Sequence, residues 1–568
     1  VRRAFSLLLV IAATLFLPAA RADEPRYQQR WLYSMHNLMV DKNADEVVAL
    51  IQRAGKAGYN GIVLADYKLN KLGEMPPGYF KNAARVQEAA TAAGLEVIPC
   101  VFPIGRSDGL LGHDPNLAEG LPVVDAPFVV KDGEAVLVPD PAAKLKNGGL
   151  EETKGDGNVF VGFGYQDNPG KSTFADREVV HGGKVSCRME DVAKHSEHHL
   201  CRLIQSVKLR PHACYRFSCW VKTKDLKPTG AFRLTAIAKS GRALTFFEQQ
   251  LDATADWKQY GIVFNTLDNE EVTVYVGQWG GETGTLWVDD LQLEEQGLVN
   301  VLRREGCPLK VASEDGKTVY EEGKDFQPVR DPKLGQVPWP GGYVFNQANI
   351  PIQLTAKSRI KDGEKLRVSW YHPIEIQDGE IMCCLTDPKV LDILRDQAKR
   401  VNDLYKPKTF FLSHDEIRNV GWCKSCQESK LTPGQLLAQN AKKCVEIIKE
   451  INPKARIVIW SDMFDPFHNA VDKYYLVNGT LEGSWEGLPK DVTIVNWNNG
   501  KAEKSLKWFA DRGHSQILAG YYDSDPSEFK TWDTAARKVK NVSGFMYTTW
   551  AGKYDQLETY GKLMRGVE

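Results

Sequence analysis

Apolar residues follow two rhythms along this chain. Between residues 27 and 105, short apolar runs alternate with stretches of helical period. Trp31–Leu38 reads as a strand, and Val47, Ile51 and Ala54 recur at i, i+4 and i+7 inside Asp45–Gly58, which predicts a helix closed by Gly58. Gly61–Asp66 is a buried-type strand, Lys81–Ala93 a helix stopped at Gly94, and Leu95–Phe102 a third strand. Strands alternating with helices at this spacing predict a parallel sheet. The same rhythm returns at Asp387 with helix Asp387–Tyr405, strand Thr409–Ser413, helix Leu436–Ile451 and strand Arg456–Trp460. Strands Val492–Trp497, Ile517–Tyr522 and Gly544–Trp550 complete it. Eight strands, spread over pieces 23–105 and 380–568, predict an α/β fold of the (β/α)8 TIM-barrel type, interrupted after strand 3. A doubly wound open sheet is the alternative, but it has no reason to stop at eight repeats.

The intervening stretch has a different grammar. Cys214–Lys222, Trp257–Phe264, Val272–Gly277 and Thr285–Leu293 are short alternating strands separated by turn residues, the pattern of an all-β sandwich. The expected order is a linker over 106–146, a sandwich over 147–297 and a small β-element over 298–379. Asn147-Gly-Gly-Leu-Glu151, the HGGKVS run from His181 to Ser186, strand Tyr215–Val221, Asp256-Trp257 and the closing Trp287–Leu293 resemble jelly-roll carbohydrate-binding modules of the family 4/9 type. That resemblance implies a sugar-stacking surface, with Trp220, Trp257, Trp279 and Trp287 as its candidates; the alternative place for each is the sandwich core.

Composition narrows the classes. Lys+Arg 72 against Asp+Glu 73 gives a formal net charge of −1 over 568 residues, so no global positive field draws nucleic acid. After the first segment no apolar run approaches the roughly 20 residues of a membrane span. That first segment places Arg2 and Arg3 before an apolar run, Phe5–Pro18, and an A-x-A site, Ala20-Arg21-Ala22. It reads as a signal peptide over 1–22 and predicts a secreted or periplasmic protein. The chain has 11 Cys. Cys423-Lys-Ser-Cys426 is a lone C-x-x-C and Cys383-Cys384 a vicinal pair; without a second C-x-x-C, a local disulfide or buried thiols are expected rather than a metal. His195, His198 and His199 read as a solvated loop. Neither cofactor nor metal is expected.

In a barrel, functional groups stand at the C-terminal ends of the strands. Those ends supply His36, Asp66, His414, Asp415, Glu416, Trp460, Asp462, Trp497, Tyr522 and Trp550. Carboxylates, imidazoles and indoles converging on one mouth suit a polyhydroxylated ligand, so the expected partner is an oligo- or polysaccharide.

The fourth strand carries a more specific signal. Leu385-Thr-Asp-Pro388, Tyr405, Phe410–Glu416, Trp422–Cys426 and Ile459–Met463 resemble glycoside hydrolase family 20, the β-N-acetylhexosaminidases. Ser413-His414 stands where that family has Gly-Gly before its Asp-Glu pair. The resemblance implies a (β/α)8 barrel that hydrolyses glycosides with retention, assisted by the substrate's own 2-acetamido group. Glu416 would be the general acid and Asp415 the carboxylate that orients the acetamido group. Two readings stay beside it: a protein nucleophile, Asp462 or Asp523, acting on an uncharged sugar, and a glycan-binding protein without catalysis.

Overall fold

A computed structural model describes residues 25–566 except 247, 335–341 and 378. The expected signal peptide, residues 1–22, lies outside the described residues.

Eight parallel strands close into a barrel. They are β1 (Gln29–Ser34), β2 (Gly61–Leu64), β3 (Glu96–Val101), β4 (Thr409–Leu412), β5 (Arg456–Trp460), β6 (Thr493–Asn496), β7 (Gln516–Tyr521) and β8 (Val542–Thr548). The strands read as nearly unbroken apolar runs because both faces are buried. Alternate side chains fill the lumen: Trp31, Tyr33, Val63, Ile98, Phe411, Val458, Trp460, Val495, Ile517, Ala519 and Met546 form a core of their own. Their neighbours, such as Leu32, Ile62, Val97, Phe410 and Ile457, point outward into the layer shared with the helices. Truncating a lumen aromatic such as Phe411 to Ala would cost about 3–5 kcal/mol.

The helices of that layer are α1 (Asp41–Lys56), α2 (Pro77–Ala93), α3 (Pro388–Tyr405), α4 (Pro433–Ile451), α5 (Ala502–Asp511), α6 (Glu528–Ala536) and α7 (Leu557–Arg565). Their ends carry local signals. Gly94 stops α2 in the left-handed conformation at φ 73°. The Asp387 carboxylate caps α3 by accepting from the Lys389 N–H. Thr432 and Gln435 form a capping box on α4. The N-caps fix where α3 and α4 start, on the face of the barrel that carries the strand-end loops.

Strands β3 and β4 are hydrogen-bonded neighbours, and three larger antiparallel sheets and a two-stranded one (153–154 with 159–160) lie between them in sequence. One sheet orders strands 255–265, 214–227, 283–296, 186–190 and 173–176; a second orders 232–238, 271–279, 200–208 and 165–166. Inward residues of both, including Phe217, Val221, Val288, Leu234 and Val276, belong to one hydrophobic core.

The third sheet corrects an expectation. The stretch 106–146, read as a linker, contains strands Leu121–Lys131 and Glu134–Leu137. They join 365–372, 310–313, 319–320 and 352–353 in a single six-stranded sheet, where Leu121–Lys131 pairs antiparallel with Lys365–His372. Val123, Ala126, Phe128 and Val130 are buried with Val311, Leu366, Val368 and Trp370 in a separate core. The small β-element is therefore built by chain on both sides of the sandwich. Pro122, Asp125 and Pro127 obscured the alternation, because the strand takes an irregular step opposite Val368–Trp370.

The first two sheets also reach the barrel's loop face. Arg242 donates to the carbonyls of Tyr475 (3.1 Å) and Val477 (2.9 Å). Phe246 packs on Tyr475 with ring centroids 4.3 Å apart, and Gln377 donates to the Tyr475 hydroxyl at 3.0 Å.

Candidate active site

Strand β4 ends at Leu412, and the next four residues build the centre of the site. Strand alternation continues through them: His414 turns outward and Asp415 inward. His414 is fully buried and its Nε2 bonds Asn440 Oδ1 of α4 at 3.1 Å. Burial holds its imidazole down at about 4, so it is a neutral packing residue. This corrects its expected place among the sugar-binding groups. Asp415 accepts from Ser413 Oγ at 2.8 Å. Burial, with the negative Asp462 nearby, pushes its carboxyl up to about 6 against the opposing hydrogen bond from Ser413.

Two adjacent carboxylates can serve one pocket only if the backbone departs from the strand. Glu416 does so, with φ 52° in the left-handed region. Its N–H donates to Asp462 Oδ2 at 2.9 Å, which anchors the reversal. Its carboxylate stays partly open, at 37% side-chain exposure, 2.8 Å from Arg418 Nη2. Arg418 is buried, pairs with Glu380 on its other side and lies over the Tyr475 ring at 5.1 Å. Glu380 also takes Arg106 at 2.7 Å, so one carboxylate is shared by two guanidiniums and Arg418 keeps positive charge facing Glu416. Gly105 presses against this turn: a Cβ there would sit 1.8 Å from the Asp415 carbonyl oxygen.

Asp462, past the end of β5, is fully buried. Its Oδ2 accepts from Glu416 N–H and Asn469 Nδ2, both at 2.9 Å, and Oδ1 accepts from Trp497 Nε1 at 3.2 Å. Burial raises its carboxyl, opposed by these donors. The three bonds make it the organiser of the loops after β4, β5 and β6.

Aromatic side chains wall the mouth. Trp460 is the floor, 2% exposed, 4.9 Å from Phe411 and 5.7 Å from Tyr33. Trp550 stands above it at 46% exposure, 5.4 Å from Tyr33 and 5.7 Å from Tyr522. Trp497 lies 6.1 Å from Tyr522 and 4.4 Å from His468. From Trp497 and Tyr522 an open groove of about 650 Å³ runs past His468, Asn499, Asp525 and Glu528.

Other predicted residues stand apart. Asp66 is 2% exposed and accepts from Leu38 N–H, Lys68 N–H and the Tyr79 hydroxyl at 2.9–3.0 Å. It caps the turn after β2, and burial under these structural donors keeps it from a sugar, which corrects its expected role. His36 bonds Ser34 Oγ at 2.8 Å and stacks on Tyr554 at 6.3 Å, on the β1–β8 side of the rim. Asp523 accepts from Thr549 Oγ1 and from the N–H groups of Trp550 (2.8 Å) and Ala551 (2.9 Å). These donors and nearby Lys553 hold its carboxyl below the usual range despite burial. Asp523 thus shapes the loop that presents Trp550.

Sequence reading missed Tyr33, Glu380 and Tyr475. Tyr33 was readable, since it shares a strand face with Trp31. Glu380 was not: it reaches the site from the chain segment returning to the barrel. Among the described residues, Glu119, Cys384, Cys423 and Cys426 are the group able to hold a metal.

No protein-family model and no curated protein matches the chain. Among solved structures, a CBM4 carbohydrate-binding module is similar at 18% identity over 27% of this chain and all of its own, with a TM-score of 0.21. TmCBM61, solved with β-1,4-galactotriose, gives 18% identity over 27% of this chain and 97% of its own, with a TM-score of 0.20. A rhamnosidase from Novosphingobium sp. PP1Y is similar at 11% identity over 95% of this chain and 58% of its own, with a TM-score of 0.33.

Proposed function

We propose that the protein is an exported glycoside hydrolase of the family 20 type, cleaving a β-linked glycan that contains N-acetylhexosamine. The observation that carries the reading is the cluster at β4 and β5. Half-buried Asp415 and fully buried Asp462 sit beside a partly open Glu416, under a wall of Trp497, Tyr522 and Trp550. Aromatic faces pack on sugar C–H surfaces, and carboxylates of unlike environment divide acid and base work.

In this reaction Glu416 gives its proton to the departing glycosidic oxygen. Asp415, ionised, accepts the acetamido N–H, so that the acetamido carbonyl oxygen attacks the anomeric carbon as the glycosidic bond breaks. Water then opens the cyclic intermediate, losing its proton to the Glu416 carboxylate, and configuration is retained. Tyr33 and Trp460 close the lumen below and keep water from that side.

The Arg418–Glu416 pair at 2.8 Å favours a second reading. Here Glu416 stays ionised and Asp415, whose carboxyl is raised to about 6, is the proton donor. Turnover of a panel of aryl glycosides, matched 2-acetamido and 2-hydroxy β-sugars, tests the proposal. Hydrolysis confined to the 2-acetamido members with retained configuration supports it; turnover of 2-hydroxy sugars alone, or of none, overturns it.

The sandwich is proposed as a glycan-binding insertion after the third barrel strand. Strand pairing puts Trp220 beside Gln259 and Trp287 beside Lys222 and Arg188, on the outer face of the five-stranded sheet. Trp257 lies two residues before Gln259 on that face, and His181 stacks on Trp220 at 4.0 Å.

A further inference from the structure

We infer that Glu119, Cys384, Cys423 and Cys426 form a tetrahedral structural zinc site at the base of the inserted domains. The ligand atoms of these four buried residues all lie within 4.8 Å of one another. The Sγ atoms are 3.2 Å apart for Cys423–Cys426, 3.4 Å for Cys384–Cys423 and 3.9 Å for Cys384–Cys426. A disulfide needs about 2.05 Å, whereas thiolates about 2.3 Å from one zinc ion stand roughly 3.8 Å from each other. The three sulfurs therefore converge as a ligand set and not as a bonded pair. Cys423 and Cys426 supply the two-residue spacing of a zinc knuckle. The second half, absent from the local sequence, comes from far along the chain.

Glu119 fits the fourth corner. Its Oε1 accepts the N–H groups of Trp422 (2.6 Å) and Cys423 (3.0 Å), and its Oε2 faces Cys426 Sγ at 3.7 Å. Hydroxyls support the sulfurs: Thr386 Oγ1 is 3.2 Å from Cys384 Sγ, and Ser425 Oγ is 3.3 Å from Cys423 Sγ. Three thiolates and a carboxylate around Zn²⁺ leave a net charge of −2. Arg304, fixed by the Asn116 and Ala118 carbonyls at 3.0 and 3.1 Å, lies within electrostatic reach of Cys384, Cys423 and Glu119 and offsets part of it. Each thiol releases its proton as it ligates.

The site joins three segments. Glu119 is on the chain leaving the barrel and Cys384 on the chain returning to it. The two run antiparallel, with Glu119 N–H donating to Met382 O and Cys384 N–H to Leu117 O, both at 2.8 Å. Cys423 and Cys426 belong to the loop that follows Asp415 and Glu416. The ion would close the long loop formed by the insertion and hold its base against the loop of the active-site pair.

Full-length protein produced in zinc-supplemented medium and dialysed against a weak chelator is to be assayed for metal by mass spectrometry. Free thiols are counted on the same sample after denaturation, and Co²⁺ is substituted for a spectrum. The inference expects about one zinc per chain and the intense visible bands of a tetrahedral cobalt–thiolate centre. It also expects loss of zinc in Cys426→Ser and Glu119→Gln, and a lower Tm when a strong chelator strips the wild type. A folded wild-type chain without transition metal, whether these cysteines are found as thiols or with two of them joined as a disulfide, overturns it. The wild-type measurement decides the matter even where a variant fails to fold.

Discussion

Asp415 is the residue whose environment makes the sharpest claims. Its carboxyl titrates at about 6 in the folded chain against about 3.9 when unfolded. Between those values the folded state holds a proton that the unfolded state has lost. Stability therefore falls as pH rises through this window, and the full penalty, up to about 3 kcal/mol, stands above pH 6. Asp415→Asn should raise Tm at about pH 7.5 and leave it unchanged near pH 4, as read by calorimetry; an unaltered or lowered Tm at the higher pH contradicts the burial account. Activity separates the two catalytic readings by sign. If ionised Asp415 orients the acetamido group, kcat/KM rises with pH through about 6. If Asp415 donates the proton, kcat/KM falls through the same range. A pH–rate profile of the wild type on an unactivated substrate reads the difference.

At the scale of elements, the site depends on one close approach. The loop after β3 lies on the turn after β4, with Ile104 N–H donating to the Ser413 carbonyl at 3.1 Å and Gly105 against the Asp415 carbonyl. Gly105→Ala puts a methyl group into backbone that cannot yield cheaply, and overpacking of this kind costs about 1–3 kcal/mol. The expected result is a kcat/KM at least tenfold lower with a reduced Tm. Gly78→Ala, inside α2 where a Cβ meets nothing within 4 Å, should leave kcat/KM unchanged and hold or slightly raise Tm. The strands were legible because burial on both faces leaves unbroken apolar runs between helices of clear period. The C-terminal ends followed from that, and Asp415, Glu416 and Asp462 with them. What could not be read was which polar strand end had been claimed by its neighbours. Asp66 is consumed by backbone N–H groups and Tyr79, and His414 by Asn440, contacts set by helices whose rotation about the barrel is a tertiary matter. The β-character of 121–131 was hidden because Pro122, Asp125 and Pro127 break its alternation; it pairs locally with Glu134–Leu137, but its longer partner, Lys365–His372, lies more than two hundred residues away.

At the scale of the whole molecule, the sandwich bears on the loop after β5 through Arg242, Phe246 and Tyr475, and Tyr475 lies under Arg418. A glycan held on its outer face would be tethered to the barrel at high effective concentration. Trp220→Ala with Trp257→Ala should weaken binding and turnover of a polymeric glycan at least tenfold, each lost stacking face contributing about 1 kcal/mol. Turnover of a small aryl glycoside should stay within about twofold of wild type. Equal losses on both substrates would mean that this face supports the fold and not the ligand.

If the pair following β4 performs the chemistry, Glu416→Gln disables it. The variant keeps the left-handed turn and the N–H bond to Asp462 while removing the transferable proton. Steady-state hydrolysis of an unactivated 2-acetamido-2-deoxy-β-glycoside should fall by about 10²–10⁴ in kcat with glycan binding retained. A Gln variant that turns over this substrate at a near wild-type rate would contradict the account.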